Sequence, residues 1–359
     1  MSDATEKTPR KSALSAIGDD TMSAARPAVR RQVTSYDVAR HAGVSQSAVS
    51  RCFKPGASVS KKMRERVMKA VDELGYKPNA IARGLITRRS NMVAVIVSNL
   101  TFYPEVLTQL SARFDERGVH VLLFTLESES DVSKVIEQIA QYQVDGVLAA
   151  AHLNPDQIAE FQERDVPLVF YNRAYRDIPV SSVCCDQVEG ERQLVSLLVE
   201  RETHKSFAVV SGPTDSVVSM QRTQGALDRL AEQGINDIVR VTGDYSYASG
   251  ARAIEEIVST RGSMVDAVIC ANDMMAFGCM DAIRYRLELD VPGDVSVVGF
   301  DGVRAAGWSS FDLATIQQPV ESMAEAAVAM LMERIENAHL PPEKRMFSGV
   351  LRQGTTIRN

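Results

Sequence analysis

The chain has 359 residues, 45% apolar and 24% charged, and a net charge of −6. That is too long for one ordinary domain and normal for folded soluble protein, which excludes a fibre, a wholly disordered chain or a single small scaffold. Five cysteines without paired spacing (Cys52, Cys184, Cys185, Cys270 and Cys279) and five scattered histidines exclude a disulfide framework and a metal motif, so neither metal nor cofactor is expected. Residues 1–32 mix Ser, Ala, Thr, Pro and both charges without an apolar run. They read as a disordered lead, with neither the apolar core of a signal peptide nor a membrane span.

Three short helix patterns follow in residues 33–77. Thr34 caps the first, Asp37 stands three residues on to complete a capping box, and Val33 can staple onto Val38. Gly43 ends it with a sharp turn. Ala39, Ala42, Val44 and Val49 are the small apolar residues that let two helices cross closely, and the second helix is predicted to begin at Ser45. Its outward residues Gln46, Ser47, Ser50 and Arg51 suit base reading: Gln pairs with adenine, Arg with guanine, and Ser with phosphate or either base. Met63, Val67, Val71 and Leu74 mark the third helix, opened by Ser60 and stopped by Gly75. After Lys77-Pro78, Asn79 can cap a helix from Ala80 to about Ile86. With Gly84 inside, that helix is too short to be stable alone.

Such turns also occur in helical hairpins that bind nothing, and charge decides between the readings. Residues 31–90 hold 13 Lys and Arg against 4 Asp and Glu, a balance of +9, whereas residues 91–359 hold 22 against 38, a balance of −16. A basic head on an acidic body is what docking on a phosphate backbone requires. Thr34, Tyr36, Ser45, Ser58, Asn79, Arg83 and Leu85 complete the candidate DNA-contact set with the four outward residues above.

The stretches VTSYDVARHAGVS, AVSR, VS-x-x-x-R-x-x-V and LGYKPNAIARGL, in this order and spacing, resemble the N-terminal domain of the LacI/GalR family of bacterial transcription regulators. The resemblance continues through the rest of the chain. It implies a helix-turn-helix head at 33–77, a hinge at 78–90 and a two-lobed core at 91–359 like a periplasmic binding protein. It also implies a homodimer on a pseudo-palindromic double-stranded operator, with Leu85 prying open a central base step and Arg83 beside it. No heptad extension follows the core, so no tetramer helix is expected.

From Met92 the chain alternates apolar runs (MVAVIV, VHVLLF, VDGVLA, PLVFY, SFAVVS, VDAVICA, VSVVGF) with amphipathic stretches, the pattern of α/β parallel sheets covered on both faces. Lobe 1 is placed at about 91–200 and 318–338, and lobe 2 at about 201–316 and 340–359, the recrossings coming from the resemblance. Ligands of such sheets bind beyond the carboxyl ends of strands. The candidates there are Asn99, Phe102, Asn172, Arg173, Arg222, Tyr245, Asn272, Asp301 and Gln318, with Ser98, Asp186 and Asp273 nearby. Amides, carboxylates and guanidinium groups suit the hydroxyls of a sugar-like effector, and Phe102 or Tyr245 can stack on its apolar face. The resemblance places Asn172, Arg173, Arg222, Asp301 and Gln318 at family pocket positions. Asp301 and Asp273 can instead serve as caps.

No nucleophile elbow, phosphate loop or dinucleotide motif is present, so no enzyme is expected. The reading is a cytoplasmic, nucleoid-associated repressor of a carbohydrate operon. Its rival is a small-molecule carrier without DNA function, which the basic head and the missing export signal oppose.

Overall fold

The computed structural model describes residues 33–53, 57–77, 89–98, 104–126, 131–173, 175, 177–201 and 203–358. The chain divides at residues 79 and 80 into two compact units. Among the described residues no helix is long and apolar enough to cross a membrane.

In the first unit, α1 (Ser35–Ala42), α2 (Gln46–Cys52) and α3 (Lys61–Leu74) enclose a core of Val38, Ala39, Ala42, Val49, Cys52, Val67, Ala70 and Val71. Thr34 and Asp37 form the capping box expected of them. Ser45 is the cap of α2 rather than its first residue, its hydroxyl accepting from Ala48 N. Gly43 has φ 61°, a left-handed conformation that lets α1 end and α2 leave steeply. Two side chains of α3 lock the assembly: Arg64 donates to Cys52 O, and Arg66 to the carbonyls of Ala42 and Gly43. Cations thus meet the unpaired carbonyls at the ends of α1 and α2.

The second unit holds two six-stranded sheets. The first comprises β1 (Met92–Val97), β2 (His120–Thr125), β3 (Gly146–Ala150), β4 (Leu168–Tyr171), β5 (Ser181–Cys185) and β11 (Lys344–Phe347), in the order β11-β5-β4-β3-β1-β2. Every pair is parallel. The second comprises β6 (Phe207–Ser211), β7 (Ile238–Thr242), β8 (Ala267–Cys270), β9 (Ser296–Asp301), β10 (Ala314–Gln317) and β12 (Val350–Arg352), in the order β12-β10-β9-β8-β6-β7. Only β12 runs antiparallel, against β10. Helices α4 (Pro104–Glu116), α5 (Asp131–Tyr142), α6 (Pro155–Glu163) and α11 (Val320–Glu336) accompany the first sheet. Helices α7 (Gln187–Val199), α8 (Val217–Glu232), α9 (Tyr247–Arg261) and α10 (Asp273–Arg286) accompany the second. One apolar cluster is continuous through both lobes, running from Val93, Leu110 and Phe114 to Leu194, Phe207 and Phe300.

Two expected crossings between lobes move. The first lies at Asp186, not near residue 200, because α7 packs on α8 and β10 of the second lobe. Residues 318–319 connect β10, which ends at Gln317, to α11, which begins at Val320. The last lies at residues 348–349, not 340. The free edge of β5 takes β11 as a further strand, with Ser182 N donating to Glu343 O and Asp186 N to Phe347 O, before the chain leaves for β12. Gly349 makes that passage possible, since a Cβ there would stand 2.2 Å from Ile316 Cγ2.

Candidate functional site

On the basic head, the side chains of the second helix divide as its cap dictates. Ala48, Val49 and Cys52 turn into the core, leaving Ser47 and Arg51 exposed and Gln46 and Ser50 half-buried at the edge. Gln46 Nε2 lies 3.4 Å from Ser35 Oγ and Ser47 Oγ 3.0 Å from Ser45 Oγ, so the polar rim of α2 is held against its own cap and against α1. Arg51 has no partner among the described residues. Tyr36 is 67% exposed on α1, Thr34 is engaged with Asp37, and Ser58 is exposed. Asn79, Arg83 and Leu85 lie outside the described residues.

In the second unit the carboxyl ends of both sheets open onto one cavity of about 770 Å³. Of the predicted effector contacts, Asn172, Arg173, Arg222, Tyr245, Asn272, Asp301 and Gln318 all line it. Asn99 and Phe102 lie outside the described residues. At its floor is a chain of hydrogen bonds across the lobes. Arg222, 2% exposed on α8, donates through Nε to Gln187 Oε1 (2.7 Å), through Nη1 to Ala271 O, and through Nη2 to Asp301 Oδ1 (2.9 Å). Gln187 Nε2 in turn donates to Asn172 Oδ1 (2.8 Å) and Cys185 O (3.1 Å), and Gln318 Nε2 to Asp301 Oδ1 (2.6 Å). The guanidinium lies flat over Phe300, 3.7 Å from the ring centroid. Burial opposes its charge, yet Asp301, Tyr245 and Glu191 hold its proton more tightly than usual.

Strain collects here as well. Asn172, Tyr245 and Asp301 have φ of 52°, 67° and 122°, conformations that side-chain-bearing residues rarely keep without surrounding support. Tyr245 aims its hydroxyl at Ser216 Oγ, 3.0 Å away.

Asn272 and Asp273 take roles partly exchanged from expectation. Asn272 is the N-cap of α10, its Oδ1 accepting from Met275 N and its Nδ2 donating to Tyr245 O, while still lining the cavity. Asp273 lies beneath, fully buried, accepting from Val303 N and Thr315 Oγ1. Burial and the nearby Asp301 push its carboxyl up to about 8, so it is largely a neutral acid at pH 7. Asp186 caps α7 and does not line the cavity.

Sequence reasoning missed Gln187, which joins Asn172 to Arg222, because a glutamine opening a helix carries no local signal. It missed Glu191, 1% exposed on α7, whose carboxyl burial pushes up to about 8 and whose Oε2 has no hydrogen-bond partner among the described residues. It also missed His152 and Tyr175, which line the cavity from the first lobe. His152 follows an apolar strand, which is the signal that could have found it. Among the described residues no cluster of His, Cys, Asp and Glu could hold a metal ion, and all five cysteines are free and buried.

The arrangement can grip a polyhydroxylated ring from two lobes, and the chain is similar to known proteins over most of its length. Residues 91–348 match the profile described as periplasmic binding proteins and sugar binding domain of LacI family, and residues 34–79 match that of bacterial regulatory proteins, lacI family. The chain is similar to the HTH-type transcriptional regulator CelR of Thermobifida fusca, 33% identical over 87% of this chain and 95% of that protein. It is 30% identical to the ribose operon repressor of Escherichia coli K12, over 89% of this chain and 98% of the repressor. Similar solved structures include a lac repressor dimer bound to operator and the anti-inducer ONPF, with a TM-score of 0.82 and 27% identity over 91% of this chain and all of that one. Another is a CelR–cellobiose complex, with a TM-score of 0.69 and 30% identity over 90% of this chain and all of that one.

Proposed function

The chain belongs to the LacI family of bacterial regulatory proteins, and from that premise we propose how its two units divide the work. The protein is a sequence-specific DNA-binding transcriptional regulator, a repressor of a carbohydrate-utilisation operon. It acts as a homodimer on a pseudo-palindromic operator under the control of a sugar-like effector. The CelR–cellobiose complex and the operator-bound lac repressor dimer support both partners. The single observation that carries the reading is the presence, on one chain, of a basic three-helix head and a buried polar cleft lined from two lobes.

In the head, Gln46, Ser47, Ser50 and Arg51 read base edges, and Thr34, Tyr36, Ser45, Ser58 and Asn79 position the module on phosphates. Arg83 and Leu85 keep the minor-groove role that the family implies, the leucine unstacking one step at a cost of a few kcal/mol. In the cleft, an effector that engages Asn172 on one side and Arg222 and Asp301 on the other touches both lobes. It therefore favours one lobe arrangement over another by its difference in affinity for the two. That shift is what the hinges of a dimer transmit to operator spacing. Catalysis has no part in this scheme, and DNA as partner sets its place of action in the cytoplasm, on the nucleoid.

Fluorescence anisotropy with a labelled duplex from the protein's own promoter, and with a scrambled duplex, tests this. The promoter duplex stays bound at salt concentrations that strip the scrambled one, and a sugar changes its affinity. Equal loss of both duplexes with rising salt, and no response to any small molecule, refutes the reading.

A further inference from the structure

We infer that the effector is an uncharged saccharide of two rings, one on the Arg222–Asp301 floor and the second on an aromatic platform made by His152 and Tyr175. This rests on the reading of the cleft as an effector site.

Volume comes first. The cavity measures about 770 Å³. A single hexose displaces roughly six waters of about 30 Å³ each, which would leave some three-quarters of that space to solvent. A second ring brings the filling near one half and lets lining from both lobes contact the occupant, in keeping with pockets that bury most of their ligand's surface.

Charge comes second. Among the described residues, five carboxylates (Glu105, Asp215, Asp244, Asp301 and Glu321) line the cavity against the guanidinium groups of Arg173, Arg222 and Arg304. The most deeply buried cation, Arg222, already faces Asp301 at 2.9 Å. Even with Arg113 and Arg252, which approach Glu321 and Asp244 from outside the lining, the charges only balance. A phosphate or carboxylate on the ligand would meet no surplus of cations among the described residues. Hydroxyl groups suit what is left: Asp301 Oδ2 and Asn172 Nδ2 have no partner among the described residues.

The platform comes third. The rings of His152 and Tyr175 lie 6.1 Å apart at 25°, a stacked pair following β3 and β4. Tyr175 cannot swing away. Its hydroxyl donates to Leu153 O (2.8 Å) and accepts from Leu153 N (2.9 Å), and its ring packs on Phe170 with centroids 4.7 Å apart. His152 is exposed on this rigid base, with no ion pair among the described residues, and offers a flat face to the apolar side of a pyranose. Tyr245 offers a second aromatic surface from the other lobe.

The test is calorimetric titration of the full chain, with operator release read in parallel. The probes are glucose, galactose, cellobiose, maltose, lactose, sucrose, gluconate and glucose 6-phosphate. At least one disaccharide binds about tenfold or more tighter than glucose or galactose. In His152→Ala, an exposed change that leaves folding intact, that advantage falls about three- to tenfold while monosaccharide binding stays within about twofold. A monosaccharide that binds as tightly as every disaccharide, or a His152→Ala variant that keeps the full advantage, overturns the two-ring assignment. Tighter binding of gluconate or glucose 6-phosphate overturns the uncharged assignment. In those cases ligand-dependent operator release still stands and the effector reading survives. Binding of none of the eight probes overturns the saccharide assignment altogether.

Discussion

Replacing Gln187 by leucine removes the strut between the lobes. Its amide is 2% exposed and makes three hydrogen bonds, to Asn172 Oδ1, to Cys185 O and from Arg222 Nε. Leucine keeps the volume and orphans all three partners, two of them neutral acceptors and one a donor of a buried guanidinium. Each buried group left unpaired costs about 1 to 3 kcal/mol, with the charged one at the upper end. Added apolar burial offsets about 1 to 2 kcal/mol of this. The expected net loss is about 3 to 8 kcal/mol, read as a lower midpoint in urea unfolding of the full chain followed by circular dichroism. Because Asn172 and Arg222 both line the cavity, effector affinity falls as well, by about tenfold or more by calorimetry if only about 1.4 kcal/mol of that loss reaches the ligand. Gln187→Glu keeps an acceptor for Arg222 and retains part of the affinity. A stability loss below about 1 kcal/mol with unchanged effector affinity would show that the lobes do not depend on this strut.

The remaining expectations concern other links. Gly43→Ala places a side chain at φ 61° with its Cβ 3.1 Å from Arg66 Nη2, so the head loses about 1 to 2 kcal/mol and operator affinity with it, checked by melting and anisotropy. Unchanged melting would show that the turn relaxes freely. Arg51→Ala costs about 1 to 3 kcal/mol per half-site and relaxes preference at one base pair, measured on single-base operator variants; uniform weakening would make Arg51 a phosphate contact. Burial raises Glu191 and Asp273 to about 8 from the ordinary carboxylate range, so the folded state holds two protons that the unfolded chain releases near pH 4. Their contribution to stability is complete below about pH 4 and is lost as pH rises through about 8. Glu191→Gln flattens that decline in urea titrations from pH 5 to 9, and a profile matching the parent's would exclude Glu191 as a source.

Much of the molecule was legible because its signals act over three or four residues. Thr34 with Asp37, Ser60 and the glycines at 43 and 75 announce helix ends through contacts they make with their own turns. Seven strands announce themselves as apolar runs, six of them because a strand buried on both faces has no polar side to show, while β2 is a half-exposed edge. Strand β5, SSVCC, is just as buried and passed unnoticed, because its serines meet their hydrogen bonds inside the sheet. Strands β7, β11 and β12 are short edges whose half-exposed faces resemble loops. The family's motifs pointed to every described residue of the polar floor except Gln187.

The sequence by itself determined the three-helix head, its charge, the α/β class of the body and the residues that end each apolar run, all set by local backbone chemistry and composition. Only the tertiary structure decided where the chain passes between lobes, that Asn272 caps while Asp273 lies buried, and that Gln187 joins Asn172 to Arg222. Those meetings depend on the order of strands in two sheets, which brings residues 15 to 79 positions apart into hydrogen-bonding distance. No rule that spans a single turn of helix carries that information.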